Sequence, residues 1–391
     1  MRLLMIYDGF LRAMDPVALR NFINRPAVVI AGLAVLAVLC FAGVTRLVNR
    51  FGEQQKALAR HLYEQGLAEQ HAGKPEMALE HFRAALTYNR DSFQYQLSLA
   101  RALRDTGRTD ESETYLVSLW ERSPQDGAVN LALGRLAARE ELLDKTIQYY
   151  HSAIYGVWLA NPDENRFNAW FELVEFLLRQ NAHPQAQAEL ITLSAEIPHR
   201  ADLQLRVADL FASAQDFPHA LLEYQQVLQN DHGNPQALAG AGKAAFNLAR
   251  YRAAIRYLSA SNVPDPRSEQ MLQISRVVLE QDPFGRGIST SERLRRIRII
   301  FEEAGKRLND CASSLAGSGV GLDPAAVSAL KAHWREMEVK LGHLGEQGES
   351  GLADEVMDLV LQIEQQTASC PAAPQDQALL LLAQNRSGVE Q

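Results

Sequence analysis

Histidine, cysteine and arginine are the residue types here whose placement could carry chemistry. His61, His71 and His81 recur every ten residues. On a helix that spacing turns each side chain to a different face, whereas a metal needs converging ligands. The three cysteines, Cys40, Cys311 and Cys370, lack the spacing of a zinc site and are too few for a disulfide-dense scaffold. No nucleophile elbow, P-loop, dinucleotide fingerprint, zinc-protease helix or paired-cysteine motif occurs. The residues therefore predict a protein that is not an enzyme, with no cofactor, no metal and no small-molecule substrate. Arginine is the type that recurs with a pattern: Arg101 and Arg104 are followed by Arg135 and Arg139. The 391-residue chain carries a net charge of −8, which argues against a nucleic-acid partner, since such binders present a basic field.

The elements that position these arginines repeat every 34 residues between 59 and 266. Repeats start at Ala59, Phe93 and Gly127 and, after six extra residues, at Phe167, Ala201 and Pro235. One column reads Ala78, Ser112, Thr146, Ala186, Ala220, Ala254, all small. Four residues on, Phe82, Leu116, Tyr150, Leu190, Tyr224 and Leu258 are all large and apolar. A third column reads Gly66, Ala100, Gly134, Val174, Ala208, Gly242. Pro124, Pro198 and Pro266 mark where the chain must leave a helix. Each unit reads as two amphipathic helices, for example roughly 94–106 and 110–121. Gly73 and Gly107 stand at the turn between them, where a residue able to take positive φ is favoured. The extra segment follows Tyr149, Tyr150, Tyr155 and Trp158; it predicts a lengthened second helix in the third unit. That aromatic patch either packs against Phe167 and Trp170 or meets a partner.

A 34-residue period with these columns resembles the tetratricopeptide repeat family. The resemblance covers about half the chain. It implies that the units stack into a superhelix, six repeats closed by a capping helix at 269–281. In that family the concave surface is lined chiefly by first helices. By position, the resemblance assigns Tyr63, Leu97, Leu131, Phe171 and Leu205 to an apolar groove. One turn along it places Arg101, Arg104, Arg135 and Arg139, with Arg179 next and Glu175 and Asp209 further on. The groove is then expected to be basic early and acidic later, and to take a segment of a protein partner. The first clamp-lysine positions, used by some members to grip a peptide's terminal carboxylate, hold Tyr63, Leu97 and Leu131 instead. A row of arginines is also what a solvated helix face looks like.

Ala27 to Val44 carries no charge, and Leu47–Val48 extend its apolar character. The run just reaches spanning length, so residues 27–48 are expected to form a membrane anchor, uncleaved, with 1–26 as a flank. A cleaved signal peptide is the rival. Orientation is a tie: Arg2, Arg12, Arg20 and Arg25 precede the run, and Arg46, Arg50, Lys56 and Arg60 follow it. Initiation at Met14 rather than Met1 would tip it towards an outside N-terminus.

Beyond the array (49–283), residues 290–391 read as a helical bundle, so the whole chain is all-α. Leu294, Ile297, Phe301, Ala304, Leu308, Cys311 and Leu315 form one heptad-type seam. Val327, Leu330, Trp334, Met337, Leu341 and Leu344 form a second, and Leu352, Val356, Leu359 and Ile363 a third. Three such helices joined by short links predict an antiparallel three-helix bundle, with a tail helix at 379–382. Arg293, Arg295, Arg296, Arg298 and Arg307 read as a solvated face. In an up-down-up bundle the first and third helices end together, which brings Cys311 near Cys370. A disulfide needs Cα atoms within about 7 Å, and it persists only in an oxidising compartment. The pairing therefore predicts C-terminal domains outside the cytoplasm of a bacterial inner membrane, with 1–26 inside. Two functions remain open at this point: an adaptor with a partner segment in the groove, or a structural subunit of an envelope complex held through the bundle and the convex faces. A catalytic domain hidden in the bundle is a third, weaker reading.

Overall fold

The computed structural model describes residues 26–315, 324–343, 351–370 and 372–384. The N-terminal flank to residue 25, and Leu344, Gly345 and Gly348 after the second seam, lie outside them. Among the described residues there are 17 α-helices and no strand, with one isolated β-bridge between Asp126 and Val157. The protein is all-α, as the sequence predicts. The helices are α1 (Pro26–His71), α2 (Pro75–Tyr88), α3 (Phe93–Asp105), α4 (Thr109–Arg122), α5 (Gly127–Arg139), α6 (Leu143–Ile154) and α7 (Pro162–Arg179). They continue as α8 (His183–Glu196), α9 (Ala201–Ser213), α10 (Phe217–Asn230), α11 (Pro235–Asn247), α12 (Tyr251–Ala260) and α13 (Pro266–Gln281). Last come α14 (Thr290–Leu315), α15 (Pro324–His343), α16 (Leu352–Gln366) and α17 (Pro374–Gln384). The chain divides into two compact units, 1–166 and 167–391.

The repeat columns have a direct packing cause. All six members of the small column, Ala78 to Ala254, are fully buried. The large column is buried too, and each of its side chains lies sixteen residues after a member of the third column. A Cβ on Gly66 would stand 2.6 Å from the Phe82 ring, one on Gly134 3.0 Å from Tyr150, and one on Gly242 2.5 Å from Leu258. In these three hairpins the second helix thus presses its large side chain onto the backbone of the first, where a side chain would not fit without a shift.

The turns repeat as closely as the cores. Gly73 and Gly107 have φ of 71° and 79°, and Glu141, Asn181, Gln215 and Ala249 hold the same left-handed conformation in the later hairpins. In each, the next backbone N–H reaches back five residues to the helix end, as from Arg108 to Leu103 (2.8 Å) and Arg250 to Ala245 (2.8 Å). This satisfies carbonyls that the helix terminus leaves unpaired. N-termini are closed by side chains: Ser92, Asp126 and Asn234 accept from the N–H three residues on.

In the first unit, α1 runs without a break from the apolar stretch into the first repeat, so no linker separates them. Its N-terminal part is one helix long and apolar enough to cross a membrane, with mean hydropathy 2.2 and none of that stretch buried. The six extra residues do not lengthen the third unit's second helix. α6 ends at Ile154, and the chain then crosses back so that Val157 exchanges backbone bonds with Gln125 and Gly127 (2.7 and 2.9 Å). Trp158 covers Gly127 and donates to the Ala153 carbonyl (2.9 Å). Gly156 permits this: a Cβ there would stand 2.6 Å from the Ser152 carbonyl oxygen. The extra length goes instead into α7, which has 18 residues.

In the second unit the array's end and the C-terminal helices share one hydrophobic core. It runs from Tyr251 and Ile274 through Ile297, Phe301 and Leu308 to Val356, Ile363 and Leu382. Helix α17 buries Ala378, Leu379, Leu382 and Ala383 against α13, α14 and α16. It covers the last array helix, which the sequence leaves as a lone cap, and Gln270 of α13 donates to Gln377 of α17 (3.1 Å). Cys311 and Cys370 form the predicted disulfide, with Cα atoms 5.9 Å apart.

Arg307 corrects the solvated-face expectation. It is buried one turn from Cys311, where Nε pairs with Glu364 (2.8 Å) and Nη1 with Asp376 (2.7 Å), while Thr367 accepts at 2.8 Å. Its neighbours Arg295 and Arg296 are paired with Glu292 (2.7 and 2.8 Å).

Candidate protein-binding face

In the first unit, α3 and α5 are the first helices of adjacent repeats, and they touch along one face. The 34-residue register puts Arg101 and Arg104 on the last turns of α3, with Arg135 and Arg139 at matching places on α5. The structure brings the four together. Arg139 Nη1 donates to the Arg104 carbonyl (2.6 Å), and Arg101 Nη2 reaches the Ala128 carbonyl at the start of α5 (3.4 Å). Arg104 Nε and Nη2 both donate to Asp105 Oδ1 (2.9 and 2.7 Å). Two donors in this cluster, Arg101 Nε and Arg104 Nη1, are buried without an acceptor.

Electrostatics mark Arg101 in particular. Burial, then the neighbouring Arg135 and Arg104 guanidiniums, hold its pKa below the ordinary arginine value; Tyr63 and Asp126 act the other way. A guanidinium does not deprotonate in a protein. The cost of its charge is therefore carried by the fold.

The apolar positions assigned to the groove are buried instead of open. Tyr63, Leu97 and Leu131 are each less than a tenth exposed. Tyr63 stacks on Tyr95 with centroids 4.5 Å apart and hydrogen-bonds Ser98 (3.0 Å). In the first unit these side chains therefore belong to the core and do not line an open apolar groove.

The second unit treats its charges differently. Phe171 is buried, with the Arg206 guanidinium carbon 4.0 Å above its ring centroid, and the same Arg206 pairs with Glu175 (2.7 Å). Leu205 is buried as well. Asp209 accepts from Tyr224 (2.5 Å) and Gln236 (3.0 Å), and burial followed by that bond pushes the Tyr224 pKa up. Glu175 and Asp209 are thus both engaged by partners within their own unit. Arg206 was missed because its role depends on the ring and carboxylate of the preceding first helix, 31 and more residues away.

Helical hairpins in one register, each completed by its neighbour, define an α-solenoid of repeats. Residues 69–136 match the sequence model described as Tetratricopeptide repeat. The chain's fold is that of a protein–protein interaction scaffold. No curated protein matches the sequence. Among solved structures, the chain is similar to PilF of Pseudomonas aeruginosa, at 16% identity over 53% of this chain and 91% of that one (TM-score 0.39). It is also similar to PilW, a type IV pilus biogenesis factor, at 16% identity over 52% and 91% (TM-score 0.38). YrrB, whose structure shows an unusual peptide-binding site, is similar at 14% identity over 46% and 89% (TM-score 0.35).

Proposed function

We propose that this chain is a membrane-anchored adaptor that holds a segment of a partner protein against the α3–α5 face of its first unit. The observation that carries the reading is the arginine cluster on that face, with two buried donors that have no acceptor. Residues 27–48 are the anchor, 49–283 the repeats and 290–391 the C-terminal bundle. Because α1 is continuous, the first repeat rises directly from the apolar stretch, and the partner is held close to the bilayer. The Cys311–Cys370 bond favours an oxidising compartment, which supports the reading of periplasmic C-terminal domains at a bacterial inner membrane.

Affinity purification from solubilised membranes tests the adaptor role. With Arg101, Arg104 and Arg135 reversed to Glu, recovery of the partner collapses while the protein's helicity persists. Unchanged recovery overturns the assignment of the face. Thiol labelling of unreduced, denatured protein from intact cells tests the side of the membrane: Cys40 alone reacts. Labelling of Cys311 and Cys370 as well would overturn the periplasmic placement.

A further inference from the structure

The α3–α5 face points to a partner of definite chemistry, an inference that rests on the adaptor reading. We propose that it receives a run of acidic side chains in the interior of the partner's sequence, not a chain terminus. Arg101 and Arg139 hydrogen-bond only to main-chain carbonyls, and Arg104 shares the single carboxylate of its neighbour Asp105. Three arginines of two adjacent helices thus share one face, with Asp105 bonded to Arg104 and Asp126 acting on Arg101. A terminal carboxylate brings only one negative charge to this face. Several Asp or Glu side chains in one segment supply more than one.

The donor geometry agrees. A carboxylate accepts two parallel N–H bonds from a guanidinium, and such pairs are among the stronger polar contacts a protein makes. Arg101 Nε and Arg104 Nη1 each lack an acceptor, so a small turn of either side chain would offer two aligned donors. Burial and like-charge crowding of Arg101 raise the gain from neutralising it, since a buried charge without a partner is costly. The buried Tyr63, Leu97 and Leu131 beneath hold the backbone that carries these arginines, which limits the ordering cost of binding.

The test uses the full chain in a neutral detergent and fluorescence anisotropy with three labelled probes: amidated hexaglutamate, amidated hexalysine, and a glycine–serine peptide with a free C-terminal carboxylate. Amidated hexaglutamate is expected to bind saturably and the other two not. Its affinity should fall steeply between about 50 and about 500 mM salt. Arg101→Gln should weaken it about tenfold or more. Arg139→Glu, at an exposed position with no bearing on the core, should weaken it about threefold. The exposed Arg276→Glu in the second unit should leave it unchanged. Absence of hexaglutamate binding, equal loss with Arg276→Glu, or preference for the free terminus overturns the proposal. If the natural partner is still captured by Arg101→Gln and Arg139→Glu protein, the adaptor reading stands and the acidic partner does not.

Discussion

The six hairpins and the C-terminal end of the second unit solve the same burial problem by different means. In a hairpin the decisive contact joins positions sixteen residues apart, as between Gly66 and Phe82 or Gly242 and Leu258. Little chain is closed, and the same solution recurs six times. The C-terminal core is assembled from distant pieces: Arg307 reaches Glu364 and Asp376, Cys311 reaches Cys370, and Gln270 reaches Gln377 across 107 residues. Closing long loops costs entropy, and that end of the molecule carries the disulfide and the buried ion cluster. The repeats hold by stacking on neighbours; the closing end holds by staples.

The disulfide gives the largest expected effect on this contrast. Its loop spans 59 residues, worth about 4 kcal/mol in the chain-entropy model. Replacing both Cys311 and Cys370 with Ala should speed backbone hydrogen exchange in α14, α16 and α17 by about three orders of magnitude, and leave α3 to α6 unchanged. Equal acceleration in both units would break the distinction between stacked and stapled ends.

Next in size is a pH effect confined to the ion cluster. Burial raises the Glu364 pKa to about 7; Arg307 opposes this and Asp376 adds to it. The folded state then keeps a proton that the unfolded chain releases at the ordinary value of 4.5. Stability should fall as pH rises from about 4.5 to about 7 and level off above, by on the order of 2 kcal/mol. Urea titrations followed by circular dichroism should show that slope in the wild type and a flatter one in Glu364→Gln. A slope untouched by Glu364→Gln would remove the cluster as its source.

The smallest effect belongs to the repeats. Ala249 sits at φ 57° where the first two hairpins use glycine. Since a left-handed residue with a Cβ costs roughly 1 kcal/mol, Ala249→Gly should stabilise the α11–α12 hairpin by about that amount or less, read as slower exchange there. Acceleration would mean that chain entropy outweighs the relieved strain.

Within the first and second units, the faces of the first helices differ in a parallel way. Glu175 and Asp209 are engaged by Arg206, Tyr224 and Gln236, whereas Arg101 and Arg139 reach only carbonyls.

Periodicity made the hairpins legible, because each repeat poses the same local problem and answers it with the same residue types at the same offsets. The small, large and close-approach columns, the apolar stretch in α1 and the seams of α14 to α16 all follow from contacts a few turns apart. The Cys311–Cys370 pairing was within reach because two seams of known direction end together. What the columns could not record is where the chain returns to itself. Arg307 looks like one more surface arginine beside the seam at Leu308, until Glu364 and Asp376 arrive from α16 and α17. The shared turn conformation is equally hidden after Gly107, because Glu141, Gln215 and Ala249 adopt positive φ without the residue preference that glycine and, less strongly, Asn181 carry. The closure of α13 by α17, and the choice of which arginines find a partner, were decided by tertiary structure. Both depend on distances between segments far apart in the chain, which no local pattern of residue types encodes.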